Sequence, residues 1–323
     1  MYKKISAILV PTILAVGIIG FMLYRVWDDL IQALKLLEPQ YLAIGIIICL
    51  VAWWLRGWRY HTILSSLNYR VSVAVATACI FVSQTVNLIV PARLGDFVRV
   101  FILKHEYNST YSEGVSSLVV ERIFDIVTIA LLGAVSLLFV LNARSEFYII
   151  IFVPIIACMV FFGVLLFLGK NSSKNRYIQI VLTMLHEIKR ASLSPRSIVL
   201  LGGSSLVIWL IDIFVCYAVV LMFQQQIPFA VIVLAIVIGN LVKAVPLTPG
   251  GIGTYELALA VTFGLGGVAP AIATLIAVID HLIKNLVTLA GGIVSIYYFG
   301  DWVIPSIKDA FNSKFSGEDT TGR

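Results

Sequence analysis

The sequence predicts an all-α, polytopic membrane helical bundle of about six spanning helices plus two oppositely oriented re-entrant hairpins, laid out as an inverted repeat. Three observations carry that expectation. The 323 residues are 60% hydrophobic and 12% charged, against roughly 25% charge in an ordinary soluble domain. The mean hydropathy is +1.01, and apolar runs of about 17 to 28 residues recur, long enough to cross ~30 Å of hydrocarbon at 1.5 Å per helical residue. Finally, two apolar stretches are interrupted by polar residues or by proline and glycine, and counting crossings from the basic loops leaves each with both ends on one side of the membrane.

Lys3 and Lys4 precede the first run, 5–24, which exceeds a signal-peptide core and lacks a small-x-small cleavage site, so it reads as an uncleaved helix. Over 25–40, Trp27, Leu30, Leu34 and Leu37 recur at helical spacing, as in a second helix lying on the surface. The run 41–55 then crosses, and 56–72 returns as a loop holding Arg56, Arg59 and Arg70. Trp53, Trp54 and Trp58 beside two of those arginines read as an interfacial anchor.

The next run, 73–90, is interrupted by Ser83, Gln84, Thr85 and Asn87 and followed by Pro91 and Gly95. Runs 115–141 and 147–168 lead to the polar connection 169–197, which is basic through Lys170, Lys174, Arg176, Lys189, Arg190 and Arg196. Basic loops stay cytoplasmic. Within this one, Ile178, Val181, Leu185 and Ile188 suggest an amphipathic helix on the inner surface. Counting back from it puts 91–114 inside as well, where Arg93, Arg99 and Lys104 agree. Both ends of 73–90 are then cytoplasmic, and a re-entrant hairpin is the economical solution.

Run 198–222, with Asp212 near its middle, leads out to Gln224, Gln225 and Gln226. Run 269–299 must bring the chain back to a cytoplasmic tail with Lys308, Lys314 and Arg323. The intervening 229–266 therefore enters and leaves from outside, broken by Pro246, Pro249, Gly250, Gly251 and Gly253. This divides the chain into a transmembrane domain, 1–300, and a polar tail, 301–323, read as disordered from Ser316 onward, with both termini of this cell-membrane protein cytoplasmic.

The two broken units share an order of residues. The first carries Asn87, Pro91, Gly95 and Asp96; the second carries Asn240, Pro246, Gly253 and Glu256. Each is followed by a long run with embedded charges: Glu121, Arg122 and Asp125 in one, Asp280, His281 and Lys284 in the other. Paired Pro/Gly-broken segments in corresponding halves point to a transporter with a site near the midplane. Ionisable groups in membrane segments cost ~2.5–3.5 kcal/mol or more on insertion scales, so they face a cavity or each other. Arg93 and Arg99 suit phosphate through their planar forks. Glu121, Arg122 and Asp125 fit either an ion-pair network between helices or substrate contact, and Asp280, Lys284 and Asp212 allow the same two readings. Pro249, Gly250 and Gly251 expose backbone amides that can form an anion nest, or simply break the helix. Lys243 lies on the approach to that break.

Other classes recede. Cys49, Cys79, Cys158 and Cys216 sit in apolar runs at no recurring spacing, and the four histidines form no ligand pattern, so neither a disulfide framework, a metal site nor a cofactor is expected. The net charge of +6 reports membrane orientation before it reports a nucleic-acid partner.

Taken in order, Pro91 to Arg99, Val120 to Asp125 and Pro246 to Glu256 resemble the lysylphosphatidylglycerol synthase transmembrane-domain family of flippase-like integral membrane proteins, over roughly residues 5 to 300. The resemblance implies a protein that moves or modifies anionic lipids, aminoacylated phosphatidylglycerol in the best-known members and polyprenyl-phosphate-linked sugars or hopanoid pathways in others. By motif position it marks Arg93, Asp96, Arg99, Glu121, Arg122, Asp125, Pro249, Gly250, Gly251 and Glu256; Asp212, Lys243, Asp280 and Lys284 come from the residues alone. No soluble aminoacyl-transferring domain is expected, so lysine transfer is not implied. The expected function is translocation of an anionic phospholipid or polyprenyl-phosphate lipid, with no catalytic residue assigned. The alternatives are an intramembrane enzyme on a lipid phosphate, or a membrane partner of a separately encoded glycosyltransferase or lipid synthase, with homo-oligomerisation open.

Overall fold

A computed structural model describes residues 2–35, 37–90, 92–140, 144–169, 173–300 and 302–303. The chain is all-α among these residues: α1 (Tyr2–Arg25), α2 (Trp27–Leu34), α3 (Gln40–Ser66), α4 (Val73–Ile89), α5 (Asp96–Tyr107), α6 (Tyr111–Leu137), α7 (Ser145–Phe167), α8 (Arg176–Ser192), α9 (Pro195–Met222), α10 (Phe229–Ala244), a 3-10 turn (Pro249–Gly251), α11 (Thr254–Leu265) and α12 (Pro270–Phe299). Local chemistry sets many of the ends. Ser72, Thr110, Asn175 and Ser194 cap α4, α6, α8 and α9 through their side chains, each satisfying an otherwise unpaired first-turn N–H. Asn108 closes α5 in the left-handed region.

Four helices, α3, α7, α9 and α12, are long and apolar enough to cross a membrane, and α1 with α2 makes a fifth if that pair, bent by 65°, is one span. With 27 residues α6 matches them in length, but Glu121, Arg122 and Asp125 interrupt its apolar character. On α7, which is apolar on every side, Ile149, Val160 and Phe167 are 65%, 62% and 92% exposed. Such a face is stable only against lipid. The protein is a multi-pass membrane protein.

Two sequence expectations need correction. The loop expected over 56–72 is helical as far as Ser66, because Arg56 and Arg59 each find an acidic partner on a neighbouring helix. The surface helix after α1 spans only Trp27–Leu34, and Trp27 and Leu34 are exposed while Val26 and Ala33 are buried. The amphipathic helix expected within 169–197 is present as α8, with Ile188 buried against α6 and Ile178 and Val181 exposed. Pro91 and the tail residues Lys308, Lys314 and Arg323 lie outside the described residues.

Helix direction follows from the cross-links. Going up α3, Glu38 N–H donates to the Met222 carbonyl, Arg56 pairs with Asp212 and Arg59 donates to Ser205. The partners fall in number, so α3 and α9 are antiparallel. α6 also runs against α3, with Tyr69 on Glu113, Tyr60 on Ser117 and Arg59 on Asp125. The outer ends of α4 and α5 thus sit together where α3 ends and α6 begins. The outer ends of α10 and α11 adjoin Met222 and Pro270, and Met222 lies at the opposite end of α3. The two helix pairs enter the bundle from opposite ends.

The halves also match in size. Helices α3, α4, α5 and α6 have 27, 17, 12 and 27 residues; α9, α10, α11 and α12 have 28, 16, 12 and 30. Packing exchanges with them: α4 lies on α12 as α10 lies on α6, and α3 meets α12 as α9 meets α6. Close approach relies on small residues. A Cβ on Gly57 would lie 1.7 Å from Thr77 Oγ1, and one on Gly292 1.9 Å from Thr85 Oγ1.

Candidate functional site

The short helices stop halfway along the long ones. Asp96 opens α5 beside the middle of α6, and Glu256 lies in the first turn of α11 beside the middle of α12. The two breaks meet there: Leu88 at the end of α4 lies against Gly250, where an added Cβ would come within 2.8 Å of its Cδ2. Arg93 Nη2 reaches the Lys243 carbonyl at 3.5 Å. Ala92 and Arg93 both have positive φ, 63° and 52°, a strained backbone of the kind that gathers at functional sites. Gly250 and Gly251 turn through the left-handed region at 60° and 77°, which glycine alone adopts without a Cβ penalty.

Around this meeting point is a cavity of about 200 Å³ lined from α3, α4, α6, α9, α10 and α12. Its wall holds the cations Arg56, Arg59, Arg93, Arg122, Lys243 and Lys284 against the anions Glu121, Asp125 and Asp212. Ion pairs account for most of them. Arg56 meets Asp212 at 2.5 Å. Arg59 is bidentate to Asp125, at 2.5 and 3.0 Å, and Asp125 also accepts from Trp209 Nε1 at 3.0 Å. Arg122 spans Asp96, Glu121 and Asp125 at 3.5–3.9 Å. Lys284 pairs with Asp280 at 2.8 Å.

Two cavity cations have no carboxylate within ion-pair distance among the described residues. Arg93 makes only its long bond to the Lys243 carbonyl, and the Lys243 ammonium meets His281 Nε2 at 2.9 Å. They come from the two opposed breaks. A wall of fixed cations in a low-dielectric cleft attracts anions, and these two are the ones left uncompensated.

The sequence-predicted residues divide accordingly. Arg93, Glu121, Arg122, Asp125, Asp212, Lys243, Gly250, Gly251 and Lys284 line the cavity. Asp96, Arg99, Pro249, Glu256 and Asp280 stand behind the wall. Asp96 accepts from Ser83, Gln84 and Asn87, which fastens α5 to α4. Arg99, expected to touch phosphate, is fully buried with both terminal nitrogens on Glu121 and its plane 4.9 Å from the Tyr60 ring. Asp212, for which an ion pair and a substrate contact were both open, lines the cavity and is paired with Arg56. The sequence reading missed Arg56 and Arg59 as wall residues, and Trp209 with them. Their spacing of three on a run with no proline between Gln40 and Ser66 was the available signal.

Comparison with known proteins adds the following. The family described as Lysylphosphatidylglycerol synthase TM region matches residues 8–292. "Glycosyltransferase AglD" of Haloferax volcanii is 33% identical over 90% of this chain, which spans 54% of that protein's length. A UPF0104 membrane protein of Methanocaldococcus jannaschii is 27% identical over 66% of the chain and 93% of its own. A second, from Pyrococcus horikoshii, is 24% identical over 87% of the chain and 95% of its own. No solved structure matches.

Proposed function

Because the chain belongs to the Lysylphosphatidylglycerol synthase TM region family, we propose that it binds the phosphate of an anionic lipid between Arg93 and Lys243 and carries the head group across the membrane. The observation that carries this reading is the pair of cations without carboxylates, one from each opposed break, on the wall of a single cavity. A phosphate supplies the missing charge and accepts from both donors; charge-assisted bonds of this kind are the strong ones. The two helix pairs act as re-entrant hairpins whose tips open the cavity to one leaflet and then the other. The pairs Arg56–Asp212 and Arg59–Asp125 tie α3 to α9 and α6 as the frame on which they move. The hydrocarbon chains stay in the bilayer. The basic loops support a cytoplasmic side for both termini.

The test uses purified protein in liposomes with fluorescent phosphatidylglycerol or polyprenyl-phosphate analogues, reading the signal protected in the inner leaflet. Accelerated loss of that signal, lost in Arg93→Ala and Lys243→Met, is the expected result. No acceleration with any anionic lipid would refute translocation.

A second reading has its own support. The same region makes up 54% of the longer archaeal protein whose name is glycosyltransferase, so this chain would serve as the membrane partner of a separately encoded glycosyltransferase. Co-purification with such an enzyme, together with unchanged leaflet exchange, favours it.

A further inference from the structure

Behind Lys243 stands a chain of hydrogen bonds that the anion site does not need for its charge. His281 Nε2 meets the ammonium at 2.9 Å, His281 Nδ1 meets Glu256 Oε1 at 2.7 Å, and Gly253 N–H donates to Glu256 Oε2 at 2.7 Å. Glu256 and His281 are 3% and 1% exposed. The chain joins α10, the Gly-rich turn, α11 and α12, and ends on Lys243, which among the described residues is the one cavity lysine without a carboxylate.

With Glu256 ionised and Lys243 protonated, the donor pattern sets the ring's state. An ionised carboxylate only accepts, so Nδ1 carries the hydrogen. An ammonium only donates, so Nε2 is the bare, accepting nitrogen. The histidine is neutral, in the Nδ1–H form, while Lys243 rests on it. A second proton on Nε2 would set two donors and two positive charges against each other. Lys243 would then have to leave, and its stem, lying over Gly251, can carry it toward the cavity.

We propose that anion binding at Lys243 is coupled to uptake of a proton by His281, which makes the site proton-linked; this rests on the anion-site reading above. With an anion beside Arg93, the ammonium has a better partner than a neutral ring and moves to it. Nε2 is vacated and takes a proton from solution, held by Glu256 at the other end of the ring. Linkage is reciprocal, so a proton on His281 strengthens anion binding by the factor that the anion favours the proton.

Other groups around the ring do not substitute for this pairing. Tyr255 of α11 packs 4.5 Å from it but donates its hydroxyl to Asp280, which Lys284 also pairs. On α9 Asp212 is held by Arg56 of α3. Helix α4 brings only buried Cys79, and Arg25, Asp28 and Asp29 of α1 and α2 are exposed. Cys49 of α3 and Cys216 of α9 are buried thiols.

The probe is short-chain phosphatidylglycerol, whose phosphodiester keeps a constant charge near neutral pH, titrated into the full chain in detergent. Calorimetry in two buffers of different ionisation enthalpy counts protons taken up per lipid. The wild type is expected to approach about one proton, with affinity rising by at most roughly tenfold per pH unit as pH falls toward the range in which the ring titrates. His281→Gln, whose amide oxygen can still accept from Lys243, is expected to bind with no uptake and a flat pH profile. Lipid binding by the wild type without proton uptake would overturn the coupling and leave the anion site standing, as would uptake that persists in His281→Gln. Absence of lipid binding at every pH would overturn the anion site and the coupling together.

Discussion

Arg59 and Asp125 face each other across α3 and α6 as a two-pronged ion pair, with Arg59 1% exposed and its guanidinium also donating to Ser205 on α9. One side chain thus ties three long helices at mid-depth. Removing half of a buried pair costs more than the pair contributes, because the remaining charge is stranded.

Arg59→Ala is therefore expected to destabilise the protein by about 3–5 kcal/mol. Arg59→Lys keeps the charge but loses the fork and should fall between. Thermal unfolding in detergent ranks the three. Equal melting temperatures for wild type and Arg59→Ala would show that the pair does not hold the frame.

Arg99→Ala is expected to behave the same way. Both terminal nitrogens of Arg99 sit on Glu121 and none faces the cavity, so its loss should cost about 3–5 kcal/mol of stability. Arg93→Ala, with no carboxylate to strand among the described residues, should change stability by no more than about 0.5 kcal/mol. A stable Arg99→Ala that fails only in lipid binding would return Arg99 to the anion site.

Asp212→Asn removes the partner of Arg56, whose side chain is 19% exposed on the cavity wall. A third uncompensated cation should tighten binding of phosphatidylglycerol by about 1 kcal/mol, roughly fivefold. Equilibrium binding measures this directly. A weaker or unchanged affinity would mean that Arg56 cannot reach the anion.

Gly95→Ala tests the first hairpin. A Cβ there would fall 2.3 Å from the Ser83 carbonyl oxygen and 2.7 Å from the Asn87 backbone nitrogen. Backbone cannot rotate aside as a side chain can, so α4 and α5 must separate at a cost of about 1–3 kcal/mol. Asp96 would be drawn off Asn87 with them. A normal melting temperature would show that the hairpin gives way more easily than its packing indicates.

Much of this architecture was legible in the sequence because insertion into hydrocarbon leaves strong marks. The breaks at Gly95 and at Pro249 to Gly253, the embedded acids of α6 and α12 and the two-part organisation all follow from residue type and spacing. Partner choice does not. Arg56 and Arg59 look like the polar end of a span until Asp212 and Asp125, far along the chain, are placed beside them. Asp212 looks isolated for the same reason. Arg99 and Arg93 have the same chemistry in the sequence, and only the position of Glu121 decides that one is sealed and the other open.

The meeting of Leu88 with Gly250 has an electrical meaning. If the two helix pairs, which each stop halfway, are re-entrant hairpins, their touching tips would be the partition between the two sides. A membrane potential falls across insulating material, at about 2.3 kcal/mol per elementary charge for each 100 mV. With water on both sides of the partition, nearly all of that drop would be concentrated there, and a charged head group would traverse the whole voltage within one short step.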